Sequence, residues 1–406
     1  MENPTYAFLS TPGGVDDPKD IKTDRLLKIA GANTGNFMFQ YAADKLIGGK
    51  HIFVGESGVP YSDAEAISDA THLIVPAANH FRVNTDWSGL TNYIRSTSLP
   101  TIVLGLGAQA PKTETADDFL KTMVKDEALK DLGDTLADKA TMITVRGAFS
   151  KTVCEAFGVN NTIPLGCPSL LINENKSLGQ TVKKKLGSAL KKAKSEERVK
   201  MALTAASPFE IMNSYKRDIE RALFALLQEY NGIYIQQSGG PDTIAFGIRR
   251  FSEVKLSAAL SFRSILAPKT DMDGFLDFMR DRSRIFWDVE TWVEGVKHFD
   301  ICLGTRLHGN MAALAADIPG VVITHDARTS ELVDMMCLPY LDAKHCTEGA
   351  KMETLIENIQ FNPDKFDSNR VEIAKTLASN FEKSGVKPSD HLEYMCQDLA
   401  GSSAAA

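Results

Sequence analysis

The sequence predicts an α/β protein built as two doubly wound, mostly parallel sheets. Three observations carry this. Short apolar runs alternate with helical or loop segments over the first 165 residues, the pattern of successive βαβ units. A lysine-rich stretch then interrupts the alternation, and the alternation resumes after it. Finally, 406 residues with 43% hydrophobic content are enough to fill two cores.

Taken in order, the start of the chain to about Asp20 is rich in Pro, Gly and Asp and reads as irregular. Residues 25–30 read as a weak strand. It runs into the small-residue turn Gly31-Ala-Asn-Thr-Gly-Asn36 and then a helix over 37–47. Asn33 and Asn36 would lie at a strand's carboxyl end, the edge where open α/β sheets gather ligands. A tight turn needing glycine for its backbone angles fits the same residues. Further strands are expected at 51–54, 71–75, 101–105, 141–145 and 162–165. Leu104-Gly-Leu-Gly-Ala-Gln-Ala110 holds a G-x-G-x-x-A pattern. Pro111 follows at once and no second strand ends in an acid about 20 residues later, so it reads as a strand-end loop, not a dinucleotide fingerprint. Arg146 ends the 141–145 strand, a place for a cleft residue or a surface ion pair. Ser150 reads as the cap of a helix over 151–157. Cys167 and Pro168 form a rigid turn with no base nearby in sequence, so Cys167 reads as structural.

Lys183, Lys184, Lys185, Lys191, Lys192 and Lys194 mark 176–198 as a basic linker, a solvated helix at a domain junction. The domains are therefore expected at 1–175 and 199–345. C-terminal helices follow over 346–406, and the 401–406 tail is expected to be unstructured. In the second half, strands are expected at 199–204, 232–236, 284–287, 301–303 and 321–323. Helices are expected at 215–230, over Val289, Trp292, Val293 and Val296, and at 330–336. Ser207, just after the first of these strands, is a candidate on the same sheet edge.

The most informative stretch is Asp300-Ile-Cys-Leu-Gly-Thr-Arg-Leu-His-Gly309. A buried strand breaks at Gly304 and Thr305, and apolar residues then recur at helical spacing. Arg306 and His308 fall on the first turn of that helix, where free N–H groups and the helix dipole favour an anion. An arginine capping a neighbouring carbonyl and a histidine filling a turn also fit. Asp326 and Arg328 follow the next strand and belong to the same edge, unless they form only an exposed ion pair.

A net charge of −7 argues against general nucleic-acid affinity. The six cysteines form no CxxC pair and read as free thiols of a reducing compartment. The first thirty residues carry no signal-peptide pattern and no apolar run approaches ~20 residues. A cytoplasmic protein is expected. Metal-spaced acids, H-E-x-x-H, a P-loop and G-x-S-x-G before a helix are all missing from the sequence.

The pieces come in a telling order. Gly31-Ala-Asn-Thr-Gly-Asn36, Leu104-Gly-Leu-Gly-Ala-Gln109, Val145-Arg-Gly-Ala-Phe-Ser150 and Gly166-Cys-Pro-Ser169 are followed by Thr305-Arg-Leu-His308 and His325-Asp-Ala-Arg328. This order resembles the polysaccharide pyruvyl transferase family, over about 29–341. Two departures stand out: the family's usual Lys after the Asp is Arg328 here, and its frequent Gly-Asp is Gly35-Asn36. The resemblance implies two Rossmann-like domains facing across a cleft, as in GT-B glycosyltransferases. It implies transfer of a pyruvyl group from phosphoenolpyruvate to two hydroxyls of a sugar, giving a ketal and phosphate without a metal. The partners would be phosphoenolpyruvate and a glycan or lipid-linked sugar, the latter drawing the protein to a membrane surface. In that scheme Arg306 holds the donor carboxylate and the amides after Gly304, with Thr305, hold the phosphate. His308 is the general acid and Asp326 a base or the orienter of His308. Arg146 completes the clamp, and Arg328, Asn33, Asn36 and Ser207 line the substrate. A nucleotide-sugar glycosyltransferase and a non-catalytic binding protein on the same scaffold are the alternatives.

Overall fold

The computed structural model describes residues 3–55, 58–109, 116–195, 197–212 and 215–397. Pro111, the 401–406 tail and the side chain of Arg328 lie outside the described residues.

Two six-stranded sheets form the frame, and every described pairing within them is parallel. The first has the order β2-β1-β3-β4-β5-β6. Its strands are β1 (Thr5–Phe8), β2 (Lys50–Phe53), β3 (Ala70–Pro76), β4 (Thr101–Leu106), β5 (Ala140–Val145) and β6 (Thr162–Pro164). The second has the order β12-β11-β10-β7-β8-β9. Its strands are β7 (Met201–Thr204), β8 (Ile233–Ile235), β9 (Ser283–Arg284), β10 (Ile301–Gly304), β11 (Gly320–Thr324) and β12 (Tyr340–Asp342). Helices cover both faces, so the central strands are continuous buried runs rather than alternating ones; all six residues of β4 are buried. The strand order reverses between β1 and β3 in one sheet and between β7 and β10 in the other. At such reversals the flanking connections diverge and leave a crevice at the carboxyl ends. The predicted architecture of two doubly wound domains is the one observed.

Several elements differ from expectation. Residues 25–29 belong to a helix, Thr23–Ile29, with Ala30 as its C-cap, and Leu26, Leu27 and Ile29 are buried on it. The first strand is instead β1, inside the segment read as irregular; Tyr6, Ala7 and Phe8 are each 0% exposed. β9 starts at Ser283, and β12 was not anticipated. Ser150 does not cap the Ala148–Ala156 helix, whose N-cap is Gly147. The basic stretch is the helix Leu178–Lys194, as expected, but one face of it is buried. Val182, Leu186, Ala189 and Ala193 are buried, and the helix packs on the long helix Pro363–Lys383.

The C-terminal helices pack back against the rest of the chain. After Pro363–Lys383 the chain returns to the first sheet, where the Lys387 N–H donates to the Tyr6 hydroxyl at 2.8 Å and the Gly48 N–H donates to the Lys387 carbonyl at 2.8 Å. Buried Arg370 on that helix donates to the carbonyls of Leu170 (3.3 Å), Asn175 (2.7 Å) and Asn173, fastening the segment between the sheets. One apolar cluster consequently runs through both domains. A second lies under the outer face of the first sheet.

Candidate functional site

The two strand reversals face each other across a cavity of about 870 Å³, a size suited to a small ligand. Leu9 follows β1, and Ala78 and Asn79 follow β3 on one side. Ala206 follows β7, and Thr305 and Arg306 follow β10 on the other. Both reversals therefore open into one space.

Gly304 makes the β10 turn feasible. Its φ is +155°, and a Cβ there would lie 2.1 Å from the Thr204 carbonyl oxygen, so the ends of β7 and β10 approach only over a glycine. The turn is then pinned by the Thr204 hydroxyl donating to the Arg306 carbonyl at 3.2 Å. The Asn310 amide also donates to the carbonyls of Gly304 (3.0 Å) and Arg306 (3.1 Å). Arg306 is the N-cap of the helix Leu307–Ala315 and lines the cavity. Its Nη2 donates to Ser238 Oγ at 2.8 Å and to Glu210, while its buried Nε has no partner among the described residues. Arg82, Lys216 and Arg306 line the cavity against one carboxylate, Glu210, among the described residues. An acidic chain thus carries a cationic pocket, which favours an anionic ligand.

His308 is placed differently from expectation. It is 9% exposed and does not line the cavity; its Nε2 lies 3.6 Å from Cys167 Sγ. Its ring packs 5.5 Å from that of Phe39, which does line the cavity. A Cβ on Gly35 would stand 3.1 Å from the His308 Cβ. His308 therefore stands one layer behind the wall made by Phe39 and the 31–36 turn. The reason is helical geometry, because positions two apart on a helix do not share a face.

The imidazole at the second-domain wall is His325. Its Nδ1 donates to the Ile323 carbonyl at 2.9 Å, and its Nε2 lies 3.3 Å from Asp326 Oδ2. That oxygen is also 3.3 Å from Lys216 Nζ, and Asp326 Oδ1 accepts from the Thr329 N–H at 2.8 Å, capping the Ala327–Met336 helix. Asp326 therefore lies beside His325 and not beside His308, and does not itself line the cavity. On the opposite wall, His80 Nδ1 accepts from the Ala78 N–H at 3.0 Å, which leaves the ring proton on Nε2. The packing around the ring pushes its pKa down to about 4, although an edge still reaches the cavity.

Arg146 is also withdrawn. It is 4% exposed, donating from Nε to the Gly105 carbonyl (3.2 Å) and from Nη1 to Asn79 Oδ1 (2.5 Å). The missing Cβ of Gly107 leaves room for its stem. Asn79 and Gln109 line the cavity where Arg146 was expected to. Ser207 is 2% exposed and Gly304 lies in the strand; neither lines the cavity, whereas Ala206 and Thr305 beside them do. Asn33 and Asn36 do line it. Asn33 Oδ1 accepts from the Gly35 N–H at 2.9 Å, and the Thr34 N–H donates across to the Gln237 carbonyl at 2.9 Å, so this turn closes against the second domain. Lys216, Glu210, Arg82 and His80 went unread in the sequence because none stands in a motif. His325 was visible as the residue before Asp326.

Among the described residues, no cluster of three or more His, Cys, Asp or Glu could hold a metal ion. None of their helices is long and apolar enough to cross a membrane. Fold and site together define a two-domain α/β protein with a cavity lined by cationic side chains between the domains. The chain belongs to the polysaccharide pyruvyl transferase family, whose model matches residues 17–327. No curated protein matches it in sequence. Among solved structures, S. aureus MnaA with UDP is 14% identical and aligns over 96% of this chain and 100% of its own, with a TM-score of 0.44. Anabaena Alr3699/HepE in complex with UDP and glucose is 11% identical over 93% and 100%, with a TM-score of 0.41.

Proposed function

We propose that the protein transfers the pyruvyl group of phosphoenolpyruvate to two hydroxyls of one sugar in a polysaccharide or its lipid-linked precursor. The observation that carries this is Arg306, held at the cavity wall beside Thr305 with a donor nitrogen unpartnered among the described residues. A planar guanidinium suits the donor carboxylate. Thr305 and Lys216 then face the phosphate. A proton delivered to the donor methylene makes the neighbouring carbon electrophilic, and one sugar hydroxyl adds to it. Phosphate leaves and the second hydroxyl closes the ketal. His308 is the general acid by its place in the Arg-Leu-His element, and reaching the donor requires Phe39 and the 31–36 turn to shift. His325, already at the wall, orients the phosphate. Phosphoenolpyruvate is a cytoplasmic metabolite, so the reaction belongs in that compartment.

The test is phosphate release with phosphoenolpyruvate across a panel of glycan acceptors, with the ketal identified by NMR, beside a parallel set with nucleotide sugars. Consumption of a nucleotide sugar and none of phosphoenolpyruvate overturns the proposal in favour of a glycosyltransferase. A thermal shift with phosphoenolpyruvate but no turnover on any glycan favours a binding protein. His308→Gln is expected to abolish turnover and His325→Gln to raise the KM for the donor. The reverse pattern assigns the proton transfer to His325.

A further inference from the structure

Glu220 lies on the helix Lys216–Glu229, is 0% exposed and has no role in the scheme above. Its Oε1 accepts from the Thr305 hydroxyl and from the Ala206 N–H at 3.3 Å. Its Oε2 has no hydrogen-bond partner among the described residues. Thr305 and Ala206 are the residues that end β10 and β7 and line the cavity. One carboxyl thus ties together both lips of the second-domain reversal, a single hydrogen bond behind the cavity surface.

Its charge is poorly matched. Lys216 on its own helix and Arg306 across the turn both favour the ionised form, but Lys216 pairs with Asp326 and Arg306 with Glu210. The Tyr234 hydroxyl on β8 and the Cys346 thiol beyond β12 face it as neutral groups whose own ionisation it opposes. Burial outweighs these cations and raises the carboxyl pKa to about 7. Buried carboxylates are ordinarily paired, and an oxygen left without a donor is an exception that calls for a reason.

We propose that Glu220 is a positioning residue for the anion held at Thr305 and Arg306, and that it takes up a proton from solvent when that anion binds. An arriving anion engages the same two cations that favour ionised Glu220 and adds negative charge nearby. Both effects raise the carboxyl's proton affinity. The proton goes to Oε2, the oxygen without a partner among the described residues, while Oε1 keeps accepting from Thr305 and Ala206. No other bond is made or broken. By linkage, the Kd for the anion rises with pH by up to about tenfold per unit above the titration of Glu220. This rests on reading the cavity as an anion site.

The test is calorimetric titration of the full chain with sulfate, a dianion at every pH used, and separately with phosphoenolpyruvate. Buffers of different ionisation enthalpy at pH 7.5 report the protons taken up. The wild type is expected to take up a substantial fraction of one proton with either ion. Glu220→Gln is expected to take up none of that fraction and to bind sulfate with a Kd flat between pH 6.5 and 8.5. Undiminished uptake in Glu220→Gln overturns the proposal, as does the absence of sulfate binding to the wild type. Sulfate binding with uptake but no phosphoenolpyruvate binding upholds it and removes the donor reading instead. If Glu220→Gln does not fold, the wild type decides. A protonated-carboxyl carbonyl band must appear in its infrared difference spectrum on sulfate binding, and its absence overturns the proposal.

Discussion

Glu220 accepts from the hydroxyl of Thr305, the residue just before Arg306, and the two charged residues were not equally visible. Arg306 follows a strand, a glycine and a threonine and precedes a helical pattern, so its place at an anion-favouring turn could be read directly. Glu220, between Ile219 and Arg221 in an amphipathic helix, reads as a surface acid; only the tertiary packing shows that it points inward. Each supports a prediction at this scale. Replacing Arg306 by Lys keeps the charge and loses the fork, so kcat/KM for the donor should fall about 10- to 100-fold, roughly 1.5–3 kcal/mol, measured by steady-state kinetics. For Glu220, the folded pKa of about 7 lies above the ordinary glutamate value of 4.5. The native state then binds more protons than the unfolded state between those values. The stability this group contributes is whole below about pH 4.5 and is lost as pH rises to about 7, on the order of 3 kcal/mol in all. Urea unfolding at pH 5 and pH 8 should show this loss in the wild type and its removal in Glu220→Gln. Equal pH dependence in both would show that Glu220 is not the titrating group.

At the scale of the element, strands with a run of β-branched or large apolar residues declared themselves, as Thr101–Leu106 and Ala140–Val145 did. β1 did not, because Thr-Tyr-Ala-Phe is four residues long, carries one β-branched side chain and is flanked by turn-forming residues. Its position between β2 and β3 supplies the burial that its composition does not announce. Glycines test the same distinction between local preference and packing. Gly187 lies in the exposed face of Leu178–Lys194, and a Cβ added there would meet nothing within 4 Å. Gly187→Ala should therefore stabilise by about 0.5–1 kcal/mol through helix propensity alone. Gly304→Ala combines a positive φ with a 2.1 Å approach to the Thr204 carbonyl, so β7 and β10 must separate. A loss of roughly 3 kcal/mol or more, or failure to fold, is expected in thermal unfolding. If the two alanines behave alike, the close approach of those strand ends is not what the glycine is there for.

At the scale of the whole molecule, the sequence showed two sheets and the order of the site motifs but not how the domains grip each other. Contacts between segments far apart in the chain leave no periodicity to read. Glu331, on the Ala327–Met336 helix of the second domain, accepts from the Ser150 N–H at 2.9 Å and the Ser150 hydroxyl at 3.2 Å. A first-turn amide of the Ala148–Ala156 helix is thus satisfied from the opposite domain, and Ser150 acts as a donor to its neighbour instead of as a cap. Gly147 makes room for this, since a Cβ there would stand 2.4 Å from Glu331 Cγ. Burial raises the Glu331 pKa against the Ser150 hydrogen bonds, so its charge is the costly part of the contact and its oxygens the useful part. Two substitutions separate them. Glu331→Gln keeps an acceptor for the Ser150 donors and should change stability by less than about 1 kcal/mol. Glu331→Ala strands a buried N–H and a hydroxyl and should cost roughly 1–3 kcal/mol, with faster exchange of the Ser150 amide hydrogen. Because the cavity is walled by both domains, the alanine variant should also weaken sulfate binding at Arg306, some distance along the same interface, while the glutamine variant should not. Loss of stability in both variants to the same extent would mean that the charge holds the domains together and that the hydrogen bonds to Ser150 do not.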